Sequence, residues 1–300
     1  MTEQPVVAVM SPGQMGHAVG RVLARHGLRV ITSLDGRSER TAGLAQAAGI
    51  EDVGSLDRVV AEADIILSLL PSASAPLLAE QLAELVPGRD RPLVFVECNA
   101  LAPQTTRAIA ATVAEAGATV VDVGIVGGPP TERRGPKFSL SGPDLDAVQV
   151  LGRYGLDLRP IGAEIGQASA MKMCYAALTK GLNALGTELL LAADAHGLRD
   201  AHFDELQASQ PALLAWLEDA VPGMPPKSRR WVSEMREIAA TLEALGLSPG
   251  YHLAAADLFN WVGETPLGAE RPEARDTSRG LRATLDALSA SREVRAPSRP

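Results

Sequence analysis

Val6-Val7-Ala8-Val9-Met10-Ser11-Pro12-Gly13-Gln14-Met15-Gly16 is the stretch on which the fold turns. An apolar run ends in a turn with two spaced glycines, and a helical pattern starts at once. Strand, tight turn and helix start therefore follow in the order that a dinucleotide site requires. Gly13 lets the main chain approach a pyrophosphate, and Gly16 lets helix pack closely on strand. The N–H groups at the helix start add donors and the positive end of a dipole. Ser11 occupies the place of that fingerprint's first glycine, although serine tolerates fewer backbone conformations. The competing reading of the segment alone is a plain structural turn, so its surroundings carry the argument. The candidate cofactor contacts here are Ser11, Pro12, Gly13, Gln14, Met15 and Gly16.

About twenty residues further on, in the spacing such sites use, the second strand runs out into Ser33-Leu34-Asp35-Gly36-Arg37-Ser38-Glu39-Arg40. Two readings compete. Asp35 can accept from a ribose 2′-hydroxyl and select NAD, whereas Arg37, Ser38 and Arg40 can hold a 2′-phosphate and select NADP. Gly36 frees the loop to fold over a phosphate, and the cationic cluster stands out in an acidic chain. The loop therefore favours NADP(H) over NAD(H), against a merely solvated loop.

Outward from these segments, short apolar runs alternate with Ala-rich amphipathic stretches as far as about Ile161. The strands are expected at Val6–Met10, Arg29–Ser33, Ile65–Leu69, Leu93–Glu97 and Thr119–Val123. The helices are expected at Met15–Arg25, Arg40–Ala48, Leu56–Ala61, Ala75–Leu85 and Pro103–Ala116. This is the signature of a doubly wound, mostly parallel α/β domain. After Gly166 the pattern is helical throughout, over Ala168 to about His196, Phe203–Leu217, Ser228–Ala244 and Tyr251–Val262, with prolines 222, 225 and 226 breaking the segments apart. The expected organisation is a Rossmann domain over 1–163, an all-α domain over 164–290, and a disordered tail over 291–300.

The chain has 300 residues, 46% of them hydrophobic, with 28 Lys plus Arg against 36 Asp plus Glu. A net charge of -8 repels a phosphate backbone, so nucleic acid is not expected as a partner. The N-terminal residues show neither a basic patch nor an apolar run long enough for a signal or a membrane span, and the cytoplasm is the expected location. Cys98 and Cys174 lie far apart without metal-ligand spacing; both are read as small core residues, and no metal site is expected. The histidines have no nucleophile or metal partner nearby in sequence, although His17 follows the glycine turn and can approach a cofactor.

Three further segments carry a family resemblance: Asp64-Ile65-Ile66-Leu67-Ser68-Leu69-Leu70-Pro71, Glu97-Cys98-Asn99-Ala100-Leu101-Ala102-Pro103, and Asp122-Val123-Gly124-Ile125-Val126-Gly127-Gly128. With the glycine turn they resemble, in order, the signatures of the β-hydroxyacid dehydrogenase family, which includes 3-hydroxyisobutyrate and 6-phosphogluconate dehydrogenases. The resemblance implies that Leu70, Pro71 and Asn99 approach the cofactor, and that Val126, Gly127 and Gly128 approach the substrate. It also implies a lysine acting as general acid and base. Gly166-Gln167-Ala168-Ser169-Ala170-Met171-Lys172 is similar to the family segment that carries it, which makes Lys172 the catalytic candidate. The small and apolar neighbours of Lys172 predict a desolvated amine with a pKa brought towards the working pH. A lysine snorkelling from a helix edge is the alternative. Lys180, two turns further on in a more hydrated setting, is the weaker candidate. Family members bury a long helix between two subunits and place the active site between domains, which implies a homodimer.

The sequence also departs from the pattern. Members that handle small hydroxy acids have a serine where Val126 stands, and an asparagine where Ala176 stands; Tyr175 and Asn183 are the stand-ins. Arg133 and Arg134 offer a replacement anion anchor, against a reading as solvated surface. Residues 230–239 resemble an uncharacterised, phosphogluconate dehydrogenase-like branch, and Trp231 with Met235 reads as core. The expectation is an NADP-dependent oxidoreductase acting on a small carbonyl compound through Lys172. Imine reduction on the same scaffold, which usually has aspartate or tyrosine in place of the lysine, and a non-catalytic NADP-binding sensor are the alternatives.

Overall fold

The computed structural model describes residues 4–131 and 134–293. It consists of two compact units that meet in sequence between Tyr175 and Ala176. The first unit is built on eight strands: β1 (Val7–Met10), β2 (Val30–Thr32), β3 (Glu51–Asp52), β4 (Ile65–Ser68), β5 (Val94–Glu97), β6 (Thr119–Val126), β7 (Lys137–Ser141) and β8 (Asp157–Gly162). They form one sheet in the order β3-β2-β1-β4-β5-β6-β7-β8. Pairing is parallel from β3 across to β6, antiparallel between β6 and β7, and parallel again between β7 and β8. The connecting helices are α1 (Gly16–Arg25), α2 (Glu39–Ala48), α3 (Leu56–Glu62), α4 (Ala75–Leu85), α5 (Pro103–Glu115) and α6 (Asp146–Gln149).

The two-residue period of the strands sorts the core onto two faces. Val7, Val9, Ile65, Leu67, Val94 and Val96 pack on one side, while Ala8, Met10, Ile66 and Phe95 pack on the other. Strands buried on both faces have to be apolar throughout, which is why β1, β4 and β5 read as unbroken hydrophobic runs. The chain enters mid-sheet at β1, winds outward to β2 and β3, then crosses to β4 and beyond. That reversal opens a crevice at the carboxyl ends of β1 and β4, where open α/β sheets bind ligands.

The second unit is helical: the remainder of α7 (Gln167–Ala195), then α8 (Arg199–Ser209), α9 (Pro211–Ala220), α10 (Ser228–Glu243), α11 (Gly250–Glu264) and α12 (Leu281–Glu293). Met235 and Ile238 of α10 and Phe259 and Val262 of α11 are fully buried, and Trp231 meets Phe259 edge-on with centroids 5.2 Å apart. Gly186 lets α7 and α9 close up, since a Cβ there would fall 2.3 Å from Leu217. Among the described residues, no helix is long and apolar enough to cross a membrane.

The fold class is the one the sequence predicts, a doubly wound α/β domain followed by a helical one, with four differences in detail. β3, β7 and β8 escape the pattern: β3 is two exposed residues, and β8 is a largely exposed edge strand that tolerates Pro160 because an edge needs fewer donors. The expected helix over Phe203–Leu217 is two helices, broken at Gln210 before Pro211, where the residue preceding proline leaves the helical region. α12 is helical through residues 291–293, which the sequence assigns to the tail; 294–300 lie outside the described residues. The units divide twelve positions later than the expected 163/164 boundary, because the first turns of α7 pack into the first unit.

Candidate active site

The glycine turn has the geometry its sequence asks for, including at the odd position. Ser11 takes φ of +63°, and it is the non-glycine residue with positive φ among the described residues. Its carbonyl accepts from Gly13 N at 2.7 Å, which closes the turn. A Cβ on Gly16 would fall 2.5 Å from that same carbonyl and 3.2 Å from the Val9 side chain, so only glycine fits there. A Cβ on Gly13 would meet nothing closer than 3.9 Å, so this side of the turn is open for a ligand backbone. The first turn of α1 carries no acidic side chain. An open glycine beside a helix N-terminus without acids fits a dinucleotide pyrophosphate.

In the loop after β2, Gly36 takes φ of +66° and Arg37 N donates to Leu34 O at 2.9 Å. Ser38 caps α2, its Oγ accepting from Thr41 N at 3.3 Å. Asp35 and Arg37 are exposed on this loop, and Arg40 is exposed in the first turn of α2.

Buried polar groups join the carboxyl ends of β4 and β5. Asn99 Nδ2 donates to Ser68 Oγ at 2.8 Å, and Asn99 Oδ1 accepts from Leu70 N at 2.6 Å. The Asn99 amide thus fixes the Leu70–Pro71 turn, with Pro71 exposed beyond it. Glu97 is 1% exposed; Oε1 accepts from Asn99 N at 2.8 Å and the Ser68 hydroxyl also bonds the carboxyl, but Oε2 is buried without a partner. Burial pushes the Glu97 carboxyl up to about 7, against the opposing pull of those hydrogen bonds and of the Lys172 charge. Burial likewise raises the Cys98 thiol well above its usual range, which makes it an inert core group. Cys174, in contrast to the core position expected, is exposed.

Asp122 stands in register with Glu97 on the neighbouring strand β6 and is fully buried. It is held from four directions: Oδ1 accepts from Ser169 Oγ at 2.7 Å, while Oδ2 accepts from Gly166 N and Ser169 N at 2.9 Å and from Ser141 Oγ at 3.2 Å. Ser141 Oγ in turn accepts from Ala168 N at 2.9 Å, and Thr106 Oγ1 and Ser169 Oγ lie 2.9 Å apart. These bonds satisfy the orphan N–H groups at the start of α7 and bring a negative charge to its positive end.

Lys172 rides on that anchored turn. A Cβ on Gly124 of β6 would fall 2.3 Å from Ala168 O and 3.1 Å from Lys172 Cβ, so the glycine is what lets α7 lie this close to the strand. Lys172 Nζ donates to Cys98 O at 3.4 Å, at the end of β5. The apolar setting expected from the sequence is therefore incomplete: a carbonyl and the buried Glu97 carboxyl act on the ammonium. Helical neighbours say nothing about what the adjoining strands present.

The remaining candidates divide by unit. In the first, Val126 is half-buried, Gly127 takes φ of +124° against Pro136, and Gly128 and Tyr175 are exposed. Arg134 is in a small loop closed by Thr131 N donating to Arg134 O at 2.7 Å, and Arg133 lies outside the described residues. In the second, Asn183 is 2% exposed with Oδ1 unpartnered. Lys180 is not hydrated: it pairs with Glu234 and lies over the Trp231 ring, 5.6 Å from its centroid. Glu97, Asp122, Gly124, Ser141 and Ser169 are the participants that the sequence reading left without roles. Acids at the ends of apolar strands were the available signal. No group of His, Cys, Asp and Glu suited to a metal occurs among the described residues.

Comparison with known proteins agrees with this geometry. Residues 6–152 match the NAD binding domain of 6-phosphogluconate dehydrogenase, and residues 193–262 match a domain of unknown function, DUF1932. The 3-hydroxyisobutyrate dehydrogenase of Pseudomonas aeruginosa is 27% identical over 273 residues, 88% of each chain. Among solved structures, the Mycobacterium tuberculosis 3-hydroxyisobutyrate dehydrogenase superposes with a TM-score of 0.70 at 17% identity, covering 98% of this chain and 100% of that one. An imine reductase of Streptomyces aurantiacus gives 0.52 at 22% identity, covering 89% and 97%. The chain thus joins a nicotinamide-dinucleotide-binding domain to a DUF1932 domain, is similar to β-hydroxyacid dehydrogenases, and is an oxidoreductase that uses a nicotinamide dinucleotide.

Proposed function

We propose that this oxidoreductase interconverts a small carbonyl compound and its alcohol with NADP(H), using Lys172 as general acid and base. The observation that carries the reading is the Lys172 ammonium on the Cys98 carbonyl, at the end of a strand that borders the cofactor crevice. A nicotinamide dinucleotide held at the Gly13–Gly16 turn would supply or accept the hydride. Lys172 donates a proton to the carbonyl oxygen in reduction and takes it back from the hydroxyl in oxidation. Cys98 O aims the ammonium, an ionised Glu97 attracts it, and Asp122 holds the helix that bears it. The exposed Gly128 N–H, beside Val126 and Gly127, is available to a polar substrate group, as is Tyr175.

The NADP preference rests on Arg37, exposed on the Gly36 turn, and Arg40, exposed in the first turn of α2 beyond the Ser38 cap. Charge-assisted bonds to a 2′-phosphate predict that an Arg37→Ala, Arg40→Ala double variant raises the NADPH Michaelis constant about tenfold or more and leaves that for NADH unchanged. The chain acts in the cytoplasm as a homodimer in this reading. Exposed Leu178, Leu185 and Leu189 recur at helical spacing along α7 and present an apolar face to a second copy. Light scattering at micromolar concentration should give twice the chain mass; a monomer would refute the dimer.

The reaction is tested by fluorescence titration with NADPH, followed by NADPH oxidation in the presence of aldehydes, ketones and cyclic imines. Turnover of a carbonyl is the expected result. Oxidation with imines alone would replace the carbonyl reading, and tight binding without any oxidation would leave a cofactor sensor.

A further inference from the structure

In the second unit, the approach to α10 gathers positive charge around an empty backbone position. A Cβ built on Gly223 would lie 3.6 Å from Lys227 Nζ, 3.7 Å from Ala220 O and 3.9 Å from Arg275 Nη2, so both cations, with one carbonyl oxygen, face one point beside a residue with no side chain. Neither side chain makes a hydrogen bond or an ion pair among the described residues. Arg230 adds to the field on Lys227, and Asp219 opposes it. Arg230 pairs with Glu234, which also pairs with Lys180. Three cations, Lys227, Arg230 and Arg275, thus stand against the carboxylates of Asp219 and Glu234, which leaves positive charge in excess. Burial and the like charges of Arg230 and Arg275 push the Lys227 amine below its ordinary range. Bringing cations together without an anion opposes folding, and clusters of this kind are what recognise phosphate.

We propose that Lys227 and Arg275 form an anion site that takes a phosphate group, borne either by the substrate or by a separate effector. The excess of cations suits an anionic phosphate group. The N-terminal end of the sixteen-residue helix α10 adds partial positive charge at the same place.

The test titrates the full chain with inorganic phosphate, with the dinucleotide site saturated and ionic strength held constant with sodium chloride. Calorimetry should detect phosphate binding to the unsubstituted protein, and Lys227→Gln and Arg275→Gln should each weaken it about tenfold or more. Because the Lys227 charge is disfavoured in the folded chain, unliganded Lys227→Gln should unfold at the same or a higher temperature. Phosphate that competes with the carbonyl compound identifies a phosphorylated substrate; phosphate that changes kcat alone identifies an effector. No phosphate binding, or unchanged affinity in both variants, would overturn the site. A Lys227→Gln protein that unfolds earlier while keeping full phosphate affinity would assign the lysine to the fold instead.

Discussion

Glu97 and Asp122 occupy paired positions on adjacent parallel strands, and both are buried, yet they are opposite in kind. Asp122 accepts four hydrogen bonds, two of them from the backbone at the start of α7. Glu97 has partners on Oε1 alone, and its second oxygen is orphaned. A satisfied buried carboxylate is a fixed element of architecture; an under-satisfied one sits close to taking up a proton. The difference teaches how one sheet edge separates holding from titrating. Asp122 fixes where Lys172 begins its helix, and Glu97 controls the charge that faces its ammonium.

Removing the satisfied carboxylate should have the largest effect. Asp122→Ala strands two backbone N–H groups and two hydroxyls in the interior, for a loss of about 3 kcal/mol or more in denaturant unfolding, together with loss of turnover as α7 shifts. Glu97→Gln should do the reverse. The folded state holds the Glu97 proton up to about 7, against an ordinary value of 4.5, so this group contributes stability that is complete below 4.5 and disappears as the pH rises through about 7. The glutamine, a mimic of the protonated form, should raise stability above neutral pH by up to about 3 kcal/mol and flatten the pH dependence across that window. Equal destabilisation by both substitutions would break the comparison.

Two smaller substitutions sharpen it. Ser141→Ala removes the hydroxyl that links Asp122 to Ala168 N, and should cost about 1–2 kcal/mol in denaturant unfolding. Ser68→Ala removes a hydrogen bond that favours the ionised form of Glu97. It should cost about 1 kcal/mol and move the pH midpoint upward, as read from unfolding profiles.

What the sequence conveys follows from the range of each interaction. β1, β4 and β5 were legible because strands buried on both faces must be apolar, and Gly16 because nothing larger fits against Ser11 O. Ser11 reads as a defect in the motif, yet it adopts the left-handed turn a glycine would take. The motif singles out Lys172 as a candidate, but its helical neighbours do not convey its surroundings, since Cys98 O and Glu97 reach it from 74 and 75 positions away. Gly124 has a role only once α7 lies against β6. The exposed strands β3 and β8 give no apolar pattern to read. The Lys227 cluster is equally hidden, because Arg275 joins it from beyond α11.

The claim that everything else serves is that Lys172 moves the proton. The most direct measurement is the steady-state turnover of Lys172→Met beside its NADPH dissociation constant by fluorescence titration. The account predicts a fall in kcat of about a hundredfold to ten-thousandfold with cofactor affinity unchanged. Turnover within a few fold of the unsubstituted enzyme would contradict it.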